Sequence, residues 1–110
     1  MPDRRKDERF DLLAQVELHR GGQVETLATL NISASGLLLR NDRNVEFVIG
    51  EGIRVGFDVP QLTPAFSIDA KVVRVVLATA RPAVLAAMWT SSDAAAAASL
   101  AQMLWSLKGS

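Results

Sequence analysis

The chain of 110 residues contains no cysteine, no tyrosine and a single histidine, His19. The missing thiols exclude a disulfide scaffold, a zinc–thiolate site and a cysteine nucleophile. One histidine excludes a metal site built from several histidines, and a Ser-His-Asp triad could use only this residue. No acid–base or nucleophile constellation can be assembled, so the sequence predicts a protein that is not an enzyme and uses no metal or cofactor.

The chain also lacks an excess of charge of either sign, and it lacks long apolar runs. The 12 Lys and Arg residues balance 12 Asp and Glu, and aromatic residues make up only 5% of the chain. A nucleic acid polymer is therefore not expected as a partner, because such domains are usually basic and single-strand binders need aromatic stacking platforms. No apolar run approaches the roughly 18 residues of a membrane span, and the charged start MPDRRKDERF lacks the apolar core of a signal peptide. Together with the lack of cysteine, these features favour a cytoplasmic protein without membrane insertion.

What is present indicates one folded domain preceded by a polar arm. At roughly 150 residues per domain the chain forms one unit, and its 49% of hydrophobic residues can supply a core. Residues 1–11 are mostly charged and have little to bury, so they are predicted to form a flexible arm. The folded domain is predicted over residues 12–110.

From residue 12 onward, apolar residues recur at every second position, which is typical of half-buried strands. Gly21-Gly22 favours a two-residue hairpin between the first two strands. In the fifth strand the apolar phase shifts by one residue at Val72-Val73, which predicts a β-bulge. The six predicted strands cover about residues 12–18, 24–32, 37–39, 53–59, 66–77 and 83–90, with a loop at 41–52 and a turn at Arg81-Pro82.

The last segment has a helical pattern. Asp93 is a suitable N-cap, and the alanine run that follows favours a helix over about residues 93–107. Six short strands and one terminal helix predict a mainly β protein, a six-stranded antiparallel β-barrel with the helix packed on it. One apolar helix face is predicted from Leu100, Met103, Leu104 and Leu107. Core or helix-packing positions are also expected for Met88, Trp89 and Trp105.

Polar residues that the fold does not require lie in two segments. The first holds Arg4, Arg5 and Arg9, whose guanidinium groups suit phosphate, the O6/N7 edge of guanine and the face of a base. Considered alone, this segment is more simply a solvated charge run.

The second segment is the stretch NISASG between two predicted strands. Asn31 and Ser33 are two residues apart, so in an extended chain they face the same, outer side of the sheet. Gly36 is expected to allow a backbone conformation closed to other residues. Considered alone, this segment is more simply a turn closed by a side-chain-to-backbone hydrogen bond.

Taken together and in this order, the two segments resemble the motifs of the PilZ domain family. Arg-x-x-x-Arg is matched at Arg5 and Arg9, and Asn-x-Ser-x-x-Gly at Asn31, Ser33 and Gly36. The stretches LLL, IRVGFDVP, KVVRVV and AAMW also resemble PilZ strands, so the resemblance extends over residues 4–107. It implies a six-stranded antiparallel barrel with a C-terminal helix, and it implies binding of cyclic di-GMP.

The resemblance also implies a role for each motif residue. The arm arginines would hold guanine edges and phosphates, and the second motif would hydrogen-bond the ligand from the barrel face. The glycine would keep the loop compact. In this family, an arginine just before the first motif goes with two intercalated ligands, and Arg4 holds that position, so two cyclic di-GMP molecules per chain are expected. The implied ligand-binding residues are Arg4, Arg5, Arg9, Asn31, Ser33 and Gly36.

Two functions stay open from the sequence. One is a cyclic di-GMP receptor that signals through a downstream protein partner, since 110 residues leave no room for an output domain. The other is a PilZ-like protein-interaction adaptor with weak or no nucleotide binding. Asp7 and Glu8 lie between the motif arginines and weaken the attraction of an anion by the arm, which favours the adaptor. The intact motifs favour the receptor.

Overall fold

The described part of the chain forms seven strands, six of them from the alternating segments, and one helix at its C-terminal end. The computed structural model describes residues 8–76 and 83–109. Arg4 and Arg5, most of the predicted arm and the predicted turn at Arg81-Pro82 lie outside the described residues. The elements are β1 (Phe10–Asp11), β2 (Gln15–Arg20), β3 (Gln23–Ile32), β4 (Gly36–Arg40), β5 (Gly52–Phe57), β6 (Phe66–Val76), β7 (Val84–Trp89) and α1 (Ala94–Gly109).

The strands close into a barrel in which every pair is antiparallel. Their order is β1-β3-β2-β5-β6-β7-β4, and a further pairing of β4 with β3 closes the ring. The prediction of a mainly β, six-stranded antiparallel barrel with a C-terminal helix is thereby confirmed. The seventh strand, β1, is an addition within the segment predicted as an arm: Phe10 pairs with Ile32, and Asp11 with Asn31. A strand of two residues has no alternation from which sequence analysis could predict it.

The predicted hairpin and bulge are both present. Gly21 and Gly22 have φ angles of 51° and 83°, which are the positive values that a tight hairpin turn requires. In β6, the pairing with β7 shifts register between Val72 and Arg74, which leaves Val73 as the extra residue. A second shift, in β3 between Thr29 and Asn31, has no signal in the apolar pattern. Bulges redirect side chains, and both of these lie where a cavity forms on the barrel wall.

Helix α1 begins at a capped N-terminus and packs its predicted face on the barrel. The Oδ1 atom of Asp93 accepts a hydrogen bond of 3.0 Å from the backbone N–H of Ala95. Leu100 and Met103 are buried, and Leu104 and Leu107 are partly buried against the core. Within the described part of the chain, no helix is long and apolar enough to cross a lipid bilayer.

Met103 anchors the helix, because its side chain is 0% exposed. We expect Met103→Ala to lower the free energy of unfolding by about 2–5 kcal/mol, through lost contacts and the cavity left behind. Trp105→Ala is the matched control on the same helix: Trp105 is 73% exposed, so its loss should change the stability of the monomer by less than about 1 kcal/mol. Urea denaturation at low protein concentration measures both. Equal losses of unfolding free energy in the two variants would contradict the burial of Met103 against the barrel.

Candidate ligand-binding site

Arg9 of the first motif and all three residues of the second motif line one surface cavity of about 450 Å³. The cavity lies against the barrel wall, where the two bulges disturb the regular ladder. Among the described residues that line the cavity, two are charged, Arg9 and Arg74, and none is acidic. Such a lining favours an anionic ligand. The lining residues are Arg9, Asn31, Ser33, Ser35, Gly36, Leu37, Leu38, Val73, Arg74, Ala86, Ala87 and Met88.

Strand β1 brings Arg9 of the arginine motif to the asparagine motif. The pairing of Asp11 with Asn31 places Arg9, two residues earlier, beside the end of β3. There the Nη1 atom of Arg9 donates a hydrogen bond of 3.1 Å to the Oδ1 atom of Asn31. This bond uses one of the five N–H donors of the guanidinium group, so the group keeps donors for a ligand.

Ser33 shapes the loop between β3 and β4. Its Oγ atom accepts hydrogen bonds from the backbone N–H groups of Ser35, at 3.2 Å, and Gly36, at 3.3 Å. The Ser33 N–H in turn donates to the Gly36 carbonyl at 2.8 Å. The segment is thus a turn closed by a side-chain-to-backbone bond, as its sequence suggests when considered alone.

The expectation that Asn31 and Ser33 both face outward holds only in part. Both residues line the cavity, but Asn31 is half-buried whereas Ser33 is only 1% exposed. Strand β3 ends at Ile32, so the two-residue alternation that places side chains on one face does not continue to Ser33. Ser35, two residues further on, is exposed, and its Oγ atom lies within hydrogen-bond distance of the Ser33 Oγ atom, at 3.1 Å.

Gly36 is required by a close approach of two strands. The expectation of an unusual backbone conformation is wrong, because Gly36 is not among the described residues with positive φ. Instead, a Cβ atom here would lie 3.1 Å from the Ala87 carbonyl carbon and far inside the contact distance of its oxygen. The pairing of Gly36 with Met88 in the β4–β7 ladder fixes this approach. Any side chain at this position would push β4 and β7 apart.

Trp89 anchors the loop to β7. Its Nε1–H group donates a hydrogen bond of 3.0 Å to the Ser33 carbonyl, and its backbone N–H donates to the Ser35 carbonyl at 3.0 Å. Its ring meets the Phe57 ring edge-on, with centroids 6.1 Å apart. The sequence predicts only a packing role for Trp89. Its indole N–H group is the feature that could have indicated the anchoring role, because a buried N–H group needs a hydrogen-bond acceptor.

Arg74 is a cavity residue that the motifs do not include. The β6 bulge places Val73 and Arg74 at the cavity, and the side chain of Arg74 is exposed. The shift in apolar phase predicts the bulge but does not say which surface it faces. Met88 also lines the cavity and is 46% exposed, so its assignment to the core is wrong. Among the described residues, no group of three acidic or histidine side chains could hold a metal ion.

Comparison with known proteins gives one family and one fold. The model of the PilZ domain matches residues 3–104. The PilZ domain of Escherichia coli YcgR, solved with c-di-GMP, has a TM-score of 0.78 and 12% identity, over 97% of this chain and 93% of that one. The Bacillus subtilis inhibitor of motility, MotI, has a TM-score of 0.76 and 18% identity, over 98% of this chain and 51% of that one. The MrkH–c-di-GMP complex of K. pneumoniae has a TM-score of 0.72 and 17% identity, over 97% of this chain and 53% of that one.

Because all three sequence identities are below one fifth, these structural matches establish the fold alone. The chain spans about half the length of MotI and of MrkH, and nearly all of the YcgR domain. A search of curated proteins finds no match. The family model covers both motifs and the barrel, and the closed barrel has the fold of these structures, so the chain belongs to the PilZ domain family.

Proposed function

We propose that this protein is a receptor for cyclic di-GMP, which binds in the cavity between the arginine motif and the Ser33–Gly36 loop. PilZ domains are ligand-binding effector domains and not enzymes. The observation that carries the proposal is the Arg9–Asn31 hydrogen bond, because it joins one residue of each motif at a single cavity. Two structures of the same fold, from YcgR and MrkH, contain c-di-GMP.

The chemistry of the cavity suits the dinucleotide. Cyclic di-GMP offers two phosphate charges, two guanine edges with paired acceptors, and flat apolar base faces. Arg9 and Arg74 supply cations, and the exposed hydroxyl of Ser35 supplies a polar contact. Val73 and Met88 supply apolar wall for a base. A volume of about 450 Å³ is within the range of small-molecule sites.

The motif residues divide into ligand contacts and loop-shaping groups. We assign ligand contacts to Arg5, Arg9 and Asn31, with the arginines on phosphates and guanine edges. Ser33 and Gly36 act mainly by shaping the loop, because one is buried with its Oγ bonded to the backbone and the other lies against Ala87. The signal is proposed to pass to a downstream protein partner.

Arg4 is proposed to supply the donor for a second ligand molecule. Two stacked ligands carry four phosphate charges, which exceed the three cations proposed for Arg5, Arg9 and Arg74. We therefore expect isothermal titration with cyclic di-GMP to saturate at two ligands per chain. Arg4→Leu should lower the fitted ratio toward one while some affinity remains.

A matched control for Arg4 is Arg43→Leu. Arg43 is an exposed arginine that pairs with Glu25 at 3.3 Å and does not line the cavity, so this variant should still bind two ligands. Saturation of the unmodified protein at one ligand per chain would overturn the role of Arg4. No binding heat at ligand concentrations near 100 μM, which corresponds to affinity weaker than about −5.5 kcal/mol, would overturn the receptor and favour the adaptor.

Trp89→Phe tests whether the loop must be held in place for binding. Phenylalanine keeps an aromatic ring beside Phe57 but removes the N–H group that donates to the Ser33 carbonyl. One lost hydrogen bond should reduce stability by about 1 kcal/mol and should weaken cyclic di-GMP binding by about fivefold to tenfold. Thermal denaturation and titration measure the two effects separately. Unchanged affinity in a destabilised variant would mean that Trp89 has a packing role alone.

A further inference from the structure

Helix α1 has a second apolar face, opposite the one that packs on the barrel. Only one of its 16 residues, Lys108, is charged. At about 100° per residue, the outer residues lie roughly 160° around the helix axis from the buried ones. Ser99, Gln102 and Ser106 lie together on one flank of the helix, so the outer face is a separate apolar stripe. The outer face consists of Ala94, Ala98, Ala101, Trp105 and Lys108, all of them exposed.

Trp105 dominates this outer face. Its side chain is 73% exposed, the highest value for an aromatic residue in the described part of the chain. Phe10 and Ala34 border it in a shallow groove of about 350 Å³ that Glu8 and Lys108 also line, so the apolar surface extends beyond the helix and is flanked by one charge of each sign. Contiguous exposed apolar surface is a common feature of interaction sites.

We propose that a second copy of this chain covers the outer face, with the two α1 helices antiparallel about a two-fold axis at Ala101. The outer residues are spaced by four, three, four and three positions, which is the seam spacing of paired helices. An axis at Ala101 places Trp105 of each copy against Ala97 and Ala98 of the other, a large side chain against two small ones. The two-fold arrangement makes both contacts at once.

Charge complementarity selects the antiparallel direction. The same axis places Lys108 opposite Ala94 of the second copy, next to the carboxylate of Asp93. Lys108 and Asp93 are both exposed, and each would meet the opposite charge at its end of the helix pair. A parallel pair would instead bring the two lysines together. The antiparallel pair also opposes the two helix dipoles.

A lipid surface is a poorer occupant for this face. Helices that lie on membranes carry several lysines or arginines on their polar side, whereas α1 has Lys108 alone. The proposed pairing does not depend on whether the cavity binds cyclic di-GMP. Its tests use the protein without ligand, so failure of the pairing leaves the receptor proposal untouched.

Cysteine cross-linking tests the axis directly, because the chain has no cysteine of its own. Ala101→Cys should form a disulfide-linked dimer on mild oxidation, since the two sulfurs meet at the axis. Ala94→Cys is the matched control on the same face. Its two copies would lie about 21 Å apart along the axis, so it should not cross-link. Cross-linking at both positions would mean parallel pairing and would overturn the proposal.

Sedimentation velocity across a concentration series tests the association itself. The unmodified protein should show reversible dimers, and Trp105→Glu should weaken the dimer by at least about tenfold. Val48→Glu is the control, because Val48 is 69% exposed in a loop outside the helix. A monomer at every concentration, with Ala101→Cys cross-linking no faster than Val48→Cys, would overturn the proposal. Monomers that bind vesicles of phosphatidylcholine and phosphatidylglycerol would assign the face to lipid instead.

Discussion

Gly36→Ala is expected to destabilise the domain by about 3 kcal/mol or more, a substantial fraction of the roughly 5–15 kcal/mol by which an ordinary domain is stable. The added methyl group would collide with the Ala87 carbonyl on β7, and the obstructing atoms are backbone rather than a flexible side chain. Relief requires that β4 and β7 separate at the Gly36–Met88 pair. Chemical denaturation followed by circular dichroism measures the loss.

Gly52→Ala is the matched control for this prediction. Gly52 also lies in a strand, β5, but a Cβ atom there would meet nothing within 4 Å. This variant should change the free energy of unfolding by less than about 1 kcal/mol. If both alanine variants were equally stable, the close approach of β4 and β7 would not be what requires glycine at position 36.

Arg9→Ala should weaken cyclic di-GMP binding by about 30-fold to 150-fold, or 2–3 kcal/mol. The change removes the charge-assisted hydrogen bonds to the ligand and the cation that faces it across the cavity. The melting temperature should stay nearly unchanged, because Arg9 is exposed and its bond to Asn31 lies at the surface. Isothermal titration and thermal denaturation of the same samples give both numbers.

Two further variants distinguish the guanidinium group of Arg9 from its charge. Arg9→Lys keeps the charge but loses the planar array of donors, so it should recover only part of the affinity. Arg54→Ala removes another exposed arginine, one that pairs with Asp69 at 3.0 Å and does not line the cavity. That variant should bind normally. An Arg9→Ala protein that is unfolded, or that binds as tightly as the original, would contradict the assignment of Arg9 to the site.

The sequence predicts the barrel well because strand alternation and turn chemistry are local. Val16 and Leu18 alternate with exposed neighbours in β2, and the two glycines of the hairpin have the positive φ angles that their type predicts. The bulge at Val73 is also visible, since one extra residue reverses the apolar phase of everything that follows. The pairing of β1 leaves no such trace, because two residues are too few to show a period.

The site is less predictable because its geometry comes from contacts between distant segments. The reason for Gly36 lies in Ala87, which is 51 positions further along the chain and has no local signature. The anchoring of Ser33 by Trp89 and the position of Arg74 likewise depend on how β6 and β7 lie against the loop. Motif spacing identifies which segments meet. It does not identify what holds them or which other side chains complete the lining.

The short β1–β3 pairing has a consequence for the thermodynamics of ligand binding. Fixing the backbone of a free chain costs about 1–2 kcal/mol of conformational entropy per residue. Phe10 and Asp11 are already held by Ile32 and Asn31, so this cost falls on folding and not on ligand capture. Arg9 thus starts from a position next to the cavity. A substitution that breaks the pairing would weaken binding without replacing any ligand-contacting side chain, because Arg9 would lose its position next to the cavity.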